Sequence, residues 1–278
     1  MKTRLITSLV ALAFFIPVLI FSDTVVYTVA VVLFTALALF ELFNCMKLTK
    51  NLFVSIPSAV YALGTVACVR SFGEGYMQFF TFCTVGYIFC IFGYTVFRKD
   101  DSSSGDIFSA LAFTVYMSFG FASLVLVRDH SDFGKYLFLL PYMAAWMSDI
   151  GAYLVGTVLG KHKLIPSVSP RKTWEGFFGG LLFCVAVFML YSLGISLLAP
   201  NVKADYVGML TAAVITSLAS TLGDLIASKI KRQNHIKDFS RIFPGHGGML
   251  DRFDSILASG TVFYIISNCT QLICWDFA

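Results

Sequence analysis

Asp224, Ser228 and Lys231 fall at i, i+4 and i+7, which sets an acid, a hydroxyl and an ammonium on one helix face if the helix runs that far. Further on, Asp251 and Asp254 are three apart, again on one face at the start of an apolar run. The segment between carries Lys231, Arg232, Lys237 and Asp238, with Arg252 just after it. The stretch Pro244-Gly245-His246-Gly247-Gly248 cannot be regular helix. Carboxylate oxygens in this number suit Mg²⁺, which takes one or two protein carboxylates and completes its shell with phosphate oxygens and water. Backbone amides of Gly245, Gly247 and Gly248, ahead of a helix N-terminus, would suit phosphate oxygens. The basic side chains would suit a polyphosphate. Cation, glycines and basic residues together point to phosphoryl chemistry on a nucleotide. A salt-bridged loop docking on lipid headgroups is the plainer alternative.

Three acids lie inside apolar runs: Glu41, Asp149 and Asp224. A carboxylate at the centre of a membrane helix costs about 2.5–3.5 kcal/mol, so it ordinarily faces a polar cavity. Glu41 falls at the end of its run, where it can reach water, and is read as having no special role. Asp149 lies deeper, 11 residues before Gly160, or roughly 16 Å of helix. With Ser148, Gly151, Tyr153 and Gly156 around it, a cavity role is expected, and a structural hydrogen bond to another helix is the alternative. In the segment 160–176, Arg171 and Lys172 are candidates to hold an anionic substrate. Trp174 reads as an interface anchor, and Lys161 and Lys163 as topology determinants.

The elements that must position these residues follow from composition. Apolar residues make up 58% of the 278 and charged residues only 13%, far from the balance of a soluble domain. Uncharged apolar stretches fall at about 5–22, 25–43, 52–69, 76–97, 107–127, 136–160, 176–199, 206–228 and 255–274. The expectation is an all-α polytopic membrane protein with about nine transmembrane helices. The opening Met-Lys-Thr-Arg and its apolar run resemble a signal peptide but have no small-x-small cleavage site, so they are read as the first helix. With the N-terminus cytoplasmic, only Arg70, Arg128, Lys135 and Lys203 of the 20 Lys and Arg fall outside, which leaves 16 inside. Both polar loops, 160–176 and 228–254, are then cytoplasmic. The chain divides into N-terminal helices at 1–130, about five spans, and a catalytic region at 131–278. The seven cysteines form no C-x-x-C pair, and most lie in apolar runs, which argues against a disulfide framework or a zinc site.

Ser228 to Asp254, SKIKRQNHIKDFSRIFPGHGGMLDRFD, resembles the signature of the phosphatidate cytidylyltransferase (CDP-diacylglycerol synthase) family. That signature is S-x-hydrophobic-K-R, four residues, K-D, then H-G-G and D-R-x-D. Ser228, Lys231, Arg232, Lys237, Asp238, His246, Gly247, Gly248, Asp251, Arg252 and Asp254 meet it. Ser169 to Gly176 is similar to the family's second recurring segment, and Ser148-Asp149 to its polar intramembrane step, so the likeness covers about residues 140–275. The length resembles short bacterial members, which implies a bacterial inner membrane.

The resemblance implies transfer of a cytidylyl group from CTP to phosphatidate, with release of pyrophosphate. It also implies Mg²⁺ held by Asp224 and Asp251, an assisting monovalent cation such as K⁺, a homodimer, and no nucleic-acid partner. The catalytic set is then Asp224, Lys231, Arg232, Lys237, Asp238, His246, Asp251 and Asp254. Ser228, Arg171, Lys172, Gly247, Gly248, Arg252 and Asp149 are expected to bind substrate. For His246, a proton donor to the leaving group and a structural hydrogen-bonder are equally open. The lipid phosphate is already anionic near neutral pH, so no serine, cysteine or general base is required. Two rivals stand beside this reading. One is a CTP-dependent lipid-alcohol kinase, which would release CDP; the other is an ion-coupled transporter, for which no second copy of the polar segment is found.

Overall fold

Away from water, a chain must close its backbone hydrogen bonds within each segment, and the apolar runs of this sequence do so as helices. The structure, a computed structural model, describes residues 2–98, 103–130, 132–199, 201–245 and 247–275. Lys99 and His246 lie outside the described residues. Among the described residues, six helical segments are long and apolar enough to cross a membrane: Val25–Cys45, Val69–Phe97, Ser104–Asp129, Gly134–Leu159, Trp174–Leu198 and Tyr206–Gln233. Leu9–Ile20 and Leu52–Ala67 are apolar but shorter. The protein is an all-α multi-pass membrane protein.

The chain forms two units. The first joins Met1–Val125 to Gln233–Arg252. Its helices are α1 (Lys2–Ile20), α2 (Val25–Cys45), α3 (Leu52–Ala67), α4 (Val69–Phe72), α5 (Tyr76–Phe97) and most of α6 (Ser104–Asp129), with a 3-10 turn at Gly73–Gly75. Thr24 caps α2 by accepting from the Val26 amide at 3.2 Å. Hydroxyls tie the helices together where apolar side chains alone would slide. Ser58 meets Tyr87 at 2.7 Å, Tyr61 meets Thr84 at 2.7 Å, and Thr65 meets Ser118 at 2.5 Å. The Tyr61 and Tyr87 rings stack with centroids 4.5 Å apart.

The second unit joins Leu126–Arg232 to Phe253–Ala278. It holds α7 (Gly134–Leu137), α8 (Leu140–Leu159), strands β1 (Lys163–Ile165) and β2 (Ser169–Thr173), α9 (Trp174–Leu198), β3 (Val202–Ala204), most of α10 (Tyr206–Gln233) and of α11 (Leu250–Cys269), and β4 (Ile273–Trp275). The four short strands are an addition to the expected all-helical plan. β1 and β2 form an antiparallel hairpin pairing Lys163 with Thr173 and Ile165 with Ser169, with a register shift between. β3 and β4 pair Val202 with Trp275, so residues after α11 return to the start of α10. There Asp205 caps α10, its two carboxylate oxygens accepting from the Val207 and Gly208 amides at 3.1 Å each.

Glycines fix the closest helix pair. A Cβ at Gly179 would fall 2.5 Å from Val155, one at Gly180 2.5 Å from the Ser148 carbonyl, and one at Gly151 2.7 Å from Phe183. α8 and α9 therefore pack backbone against backbone, as small residues allow in membranes. The Ser148 and Ser217 hydroxyls, 2.8 Å apart, tie α8 to α10, and Ser259 on α11 donates to the Pro141 carbonyl at 2.9 Å.

Candidate active site

α8, the hairpin and the start of α9 surround a cavity of about 480 Å³ in the second unit. Its wall includes Asp149, Lys163, Arg171 and Lys172, with Thr221 of α10. Asp149 thus lines a cavity halfway along α8. Lys163 lines it as well, which corrects its reading as a topology determinant only: β1 turns this lysine into the wall. The hairpin is held at both ends. Thr173 caps α9 by accepting from the Gly176 amide at 3.1 Å. Glu175 accepts from the Lys161 amide at 3.1 Å and the His162 amide at 3.2 Å, and contacts His162 Nδ1 at 2.6 Å. Trp174 is exposed and packs near Phe177 and Phe178.

Lys172 also reaches α10. Its Nζ is 2.5 Å from Asp224 Oδ2, and both side chains keep about a quarter of their surface exposed. α10 does run to Gln233, so Asp224, Ser228 and Lys231 share the face that their spacing predicts. Asp254 is nearly buried, and its Oδ2 is 4.0 Å from Lys231 Nζ, itself only 10% exposed as a side chain. A Cβ at Gly223 would fall 2.5 Å from the Asp254 carbonyl, so α10 and α11 approach closely here. The second unit thus sets two carboxylates, each beside a lysine, and one of those lysines, Lys172, lines the basic cavity. Ser228 is half-buried and Arg232 exposed on the same helix.

The signature loop packs within the first unit, where two carboxylates organise it. Asp251 Oδ2 accepts from the Phe239 amide at 2.8 Å and the Gly248 amide at 2.9 Å. The Gly247 amide donates to the Phe243 carbonyl at 3.1 Å. The Gly247 and Gly248 amides, expected to face phosphate, therefore have partners within the loop. Gly245 and Gly247 have φ of +82° and +84°, the left-handed region that glycine enters without strain. Lys237, Asp238 and Arg252 are exposed.

Glu41 corrects the sequence reading most. It is 1% exposed and does not reach water. Oε1 accepts from the Ser240 hydroxyl at 2.5 Å and the Met249 amide at 2.8 Å, and Oε2 from the Leu250 amide at 2.7 Å. Position at a helix end suggests contact with water, but the partner Ser240 lies 199 residues away in sequence, beyond the reach of any local pattern. The signal was the acid itself, placed in an apolar run.

For a divalent cation the donor chemistry fits. Among the described residues no three His, Cys, Asp or Glu side chains gather, so no all-protein cage is offered. Mg²⁺ ordinarily uses one or two carboxylates and leaves the rest to water and phosphate, and Asp224 offers an accessible carboxylate of this kind.

The chain is similar to known proteins along nearly its whole length. The profile of the cytidylyltransferase family matches residues 2–270. A Staphylococcus aureus protein named phosphatidate cytidylyltransferase is 37% identical over 262 residues, covering 92% of this chain and 95% of its own. Its namesakes from Staphylococcus haemolyticus and Staphylococcus epidermidis are 36% and 34% identical, each over 92% of this chain and 95% of their own. With a profile match along nearly its whole length and relatives more than a third identical over nine-tenths of it, the chain is an enzyme that belongs to the cytidylyltransferase family.

Proposed function

We propose that the protein transfers a cytidylyl group from CTP to phosphatidate, giving CDP-diacylglycerol and pyrophosphate for phospholipid synthesis. The observation that carries this reading is the basic cavity of the second unit, in which Lys172 also pairs with Asp224. It has the charge for a lipid phosphate beside the carboxylate for a cation. The names of the relatives support the choice of substrates.

A phosphatidate oxygen attacks the α-phosphorus of CTP, a P–O bond forms, and the bond from that phosphorus to the β-bridging oxygen breaks. Pyrophosphate leaves with the electron pair, and no proton need move in this step. Arg171 and Lys172 hold the lipid phosphate. Lys231, Arg232 and Lys237 hold the triphosphate, and Arg252 adds positive charge beside it. Orientation and charge neutralisation are the whole of the catalytic task. Asp224 and Asp251 are the carboxylates assigned to Mg²⁺, which when bound neutralises charge on phosphate oxygens. Lys172 lies on the Asp224 carboxylate, and its flexible stem lets it move from that oxygen to a phosphate. K⁺ is carried as an assisting cation and the homodimer as the assembly, both on family likeness.

Nine spans with a cytoplasmic N-terminus put both loops on the side where CTP is found, in a bacterial inner membrane. The positive-inside distribution supports this orientation.

The test is pyrophosphate release by purified protein given CTP, Mg²⁺ and phosphatidate micelles, with chelator and lipid-alcohol controls. Release that needs both phosphatidate and the metal is the expected result. CDP formed with a lipid alcohol, and no pyrophosphate, would move the same residues to kinase chemistry.

A further inference from the structure

We infer that Glu41 is the positioning residue of the 240–250 segment, acting through its backbone to fix the conformation in which Asp251 and its neighbours are presented. The kinetic part of this inference rests on the cytidylyl-transfer reading, while the geometric part does not.

Glu41 lies one turn from the end of α2 and brings two oxygens to three donors: Ser240 Oγ and the amides of Met249 and Leu250. Those amides belong to the start of α11, where N–H groups have no partner within the helix and an anion is favoured. Both oxygens are engaged and the side chain is 1% exposed, so Glu41 acts through the loop. The fit is close on the opposite side too: a Cβ at Gly248 would lie 2.5 Å from each Glu41 oxygen. Gly248 is thus glycine because the carboxylate stands where a side chain would begin. Thr7 of α1 adds a tie, donating to the Pro244 carbonyl at 3.1 Å.

A glutamine cannot replace this group despite its equal size. Met249 and Leu250 present only N–H donors, one to each oxygen, and a side-chain amide has one accepting end. Its NH₂ would face an N–H, leaving buried polar groups unsatisfied.

The experiment uses the full chain in detergent. In Glu41→Gln and Glu41→Ala, amide exchange at Met249 and Leu250 should quicken by about tenfold or more. In the same proteins kcat should fall by about tenfold or more, with the apparent KM for phosphatidate within about twofold of the parent. Gly248→Ala should lower kcat by about fivefold alone, yet by less than about twofold in a Glu41→Ala background, where the methyl has room. Unchanged exchange at both amides would overturn the inference, as would faster exchange with unchanged kcat or simple additivity of the two substitutions. If the Glu41 variants do not fold, Ser240→Ala decides, since it removes one donor: exchange about threefold faster with reduced kcat supports the inference, and parental exchange overturns it. If the parent releases no pyrophosphate from CTP and phosphatidate, the cytidylyl reading falls, and the exchange data still decide whether Glu41 positions the loop.

Discussion

In the first unit, Glu41 and Asp251 are met by backbone amides; in the second, Asp224 is met by a lysine, and Asp254 by the Ser255 amide with a lysine 4.0 Å away. An amide donor is part of the chain and cannot leave its acceptor unless the loop changes shape. A lysine ammonium rides on four carbons and can exchange one oxygen for another by rotating bonds. The same side-chain type therefore serves two ends. Carboxylates bound by amides fix a conformation, and a carboxylate beside a lysine at a cavity can trade partners when an anion or cation arrives.

Asp224→Asn gives the largest expected effect, a loss of about a hundredfold or more in pyrophosphate release, with amide exchange in the 239–250 segment unchanged. Altered exchange there would erase the distinction between the two kinds of carboxylate. Asp251→Asn should cost similar activity but also quicken exchange at Phe239 and Gly248, and parental exchange would remove its loop role. Lys172→Ala should raise the apparent KM for phosphatidate about tenfold and the KM for CTP less; the reverse order would move this lysine to the nucleotide. Gly247→Ala, at φ +84° and with its Cβ 2.9 Å from Asp251 Oδ2, should lower stability in detergent by about 1 kcal/mol on thermal unfolding. Ser259→Ala loses one bond between membrane helices in the second unit and should cost only about 0.6 kcal/mol by the same measurement.

Much of this was legible where the physics is local. Apolar runs marked the helices to within a few residues, and the i, i+4, i+7 spacing put Asp224, Ser228 and Lys231 on one face because α10 continues past the apolar stretch. The glycine-rich stretch is non-helical at its described residues, as its composition predicts. What depended on distant partners was not legible. Glu41 looked harmless because its donors lie about two hundred residues on, and Lys163 looked like a topology determinant because a three-residue strand is too short for alternation to mark. The glycine amides looked ready for phosphate because nothing in the sequence says that Asp251 would take one of them.

The clamp on α11 also has a history in time. Glu41 precedes its donors by 199 to 209 residues. At roughly 5–20 residues per second, α2 is made some ten to forty seconds before Ser240, Met249 and Leu250 emerge. During that interval the carboxylate must be hydrated, protonated or held by a temporary partner. The nascent protein therefore carries an unfinished acidic site while about 200 residues are added. Emergence of Ser240, Met249 and Leu250 is what completes it.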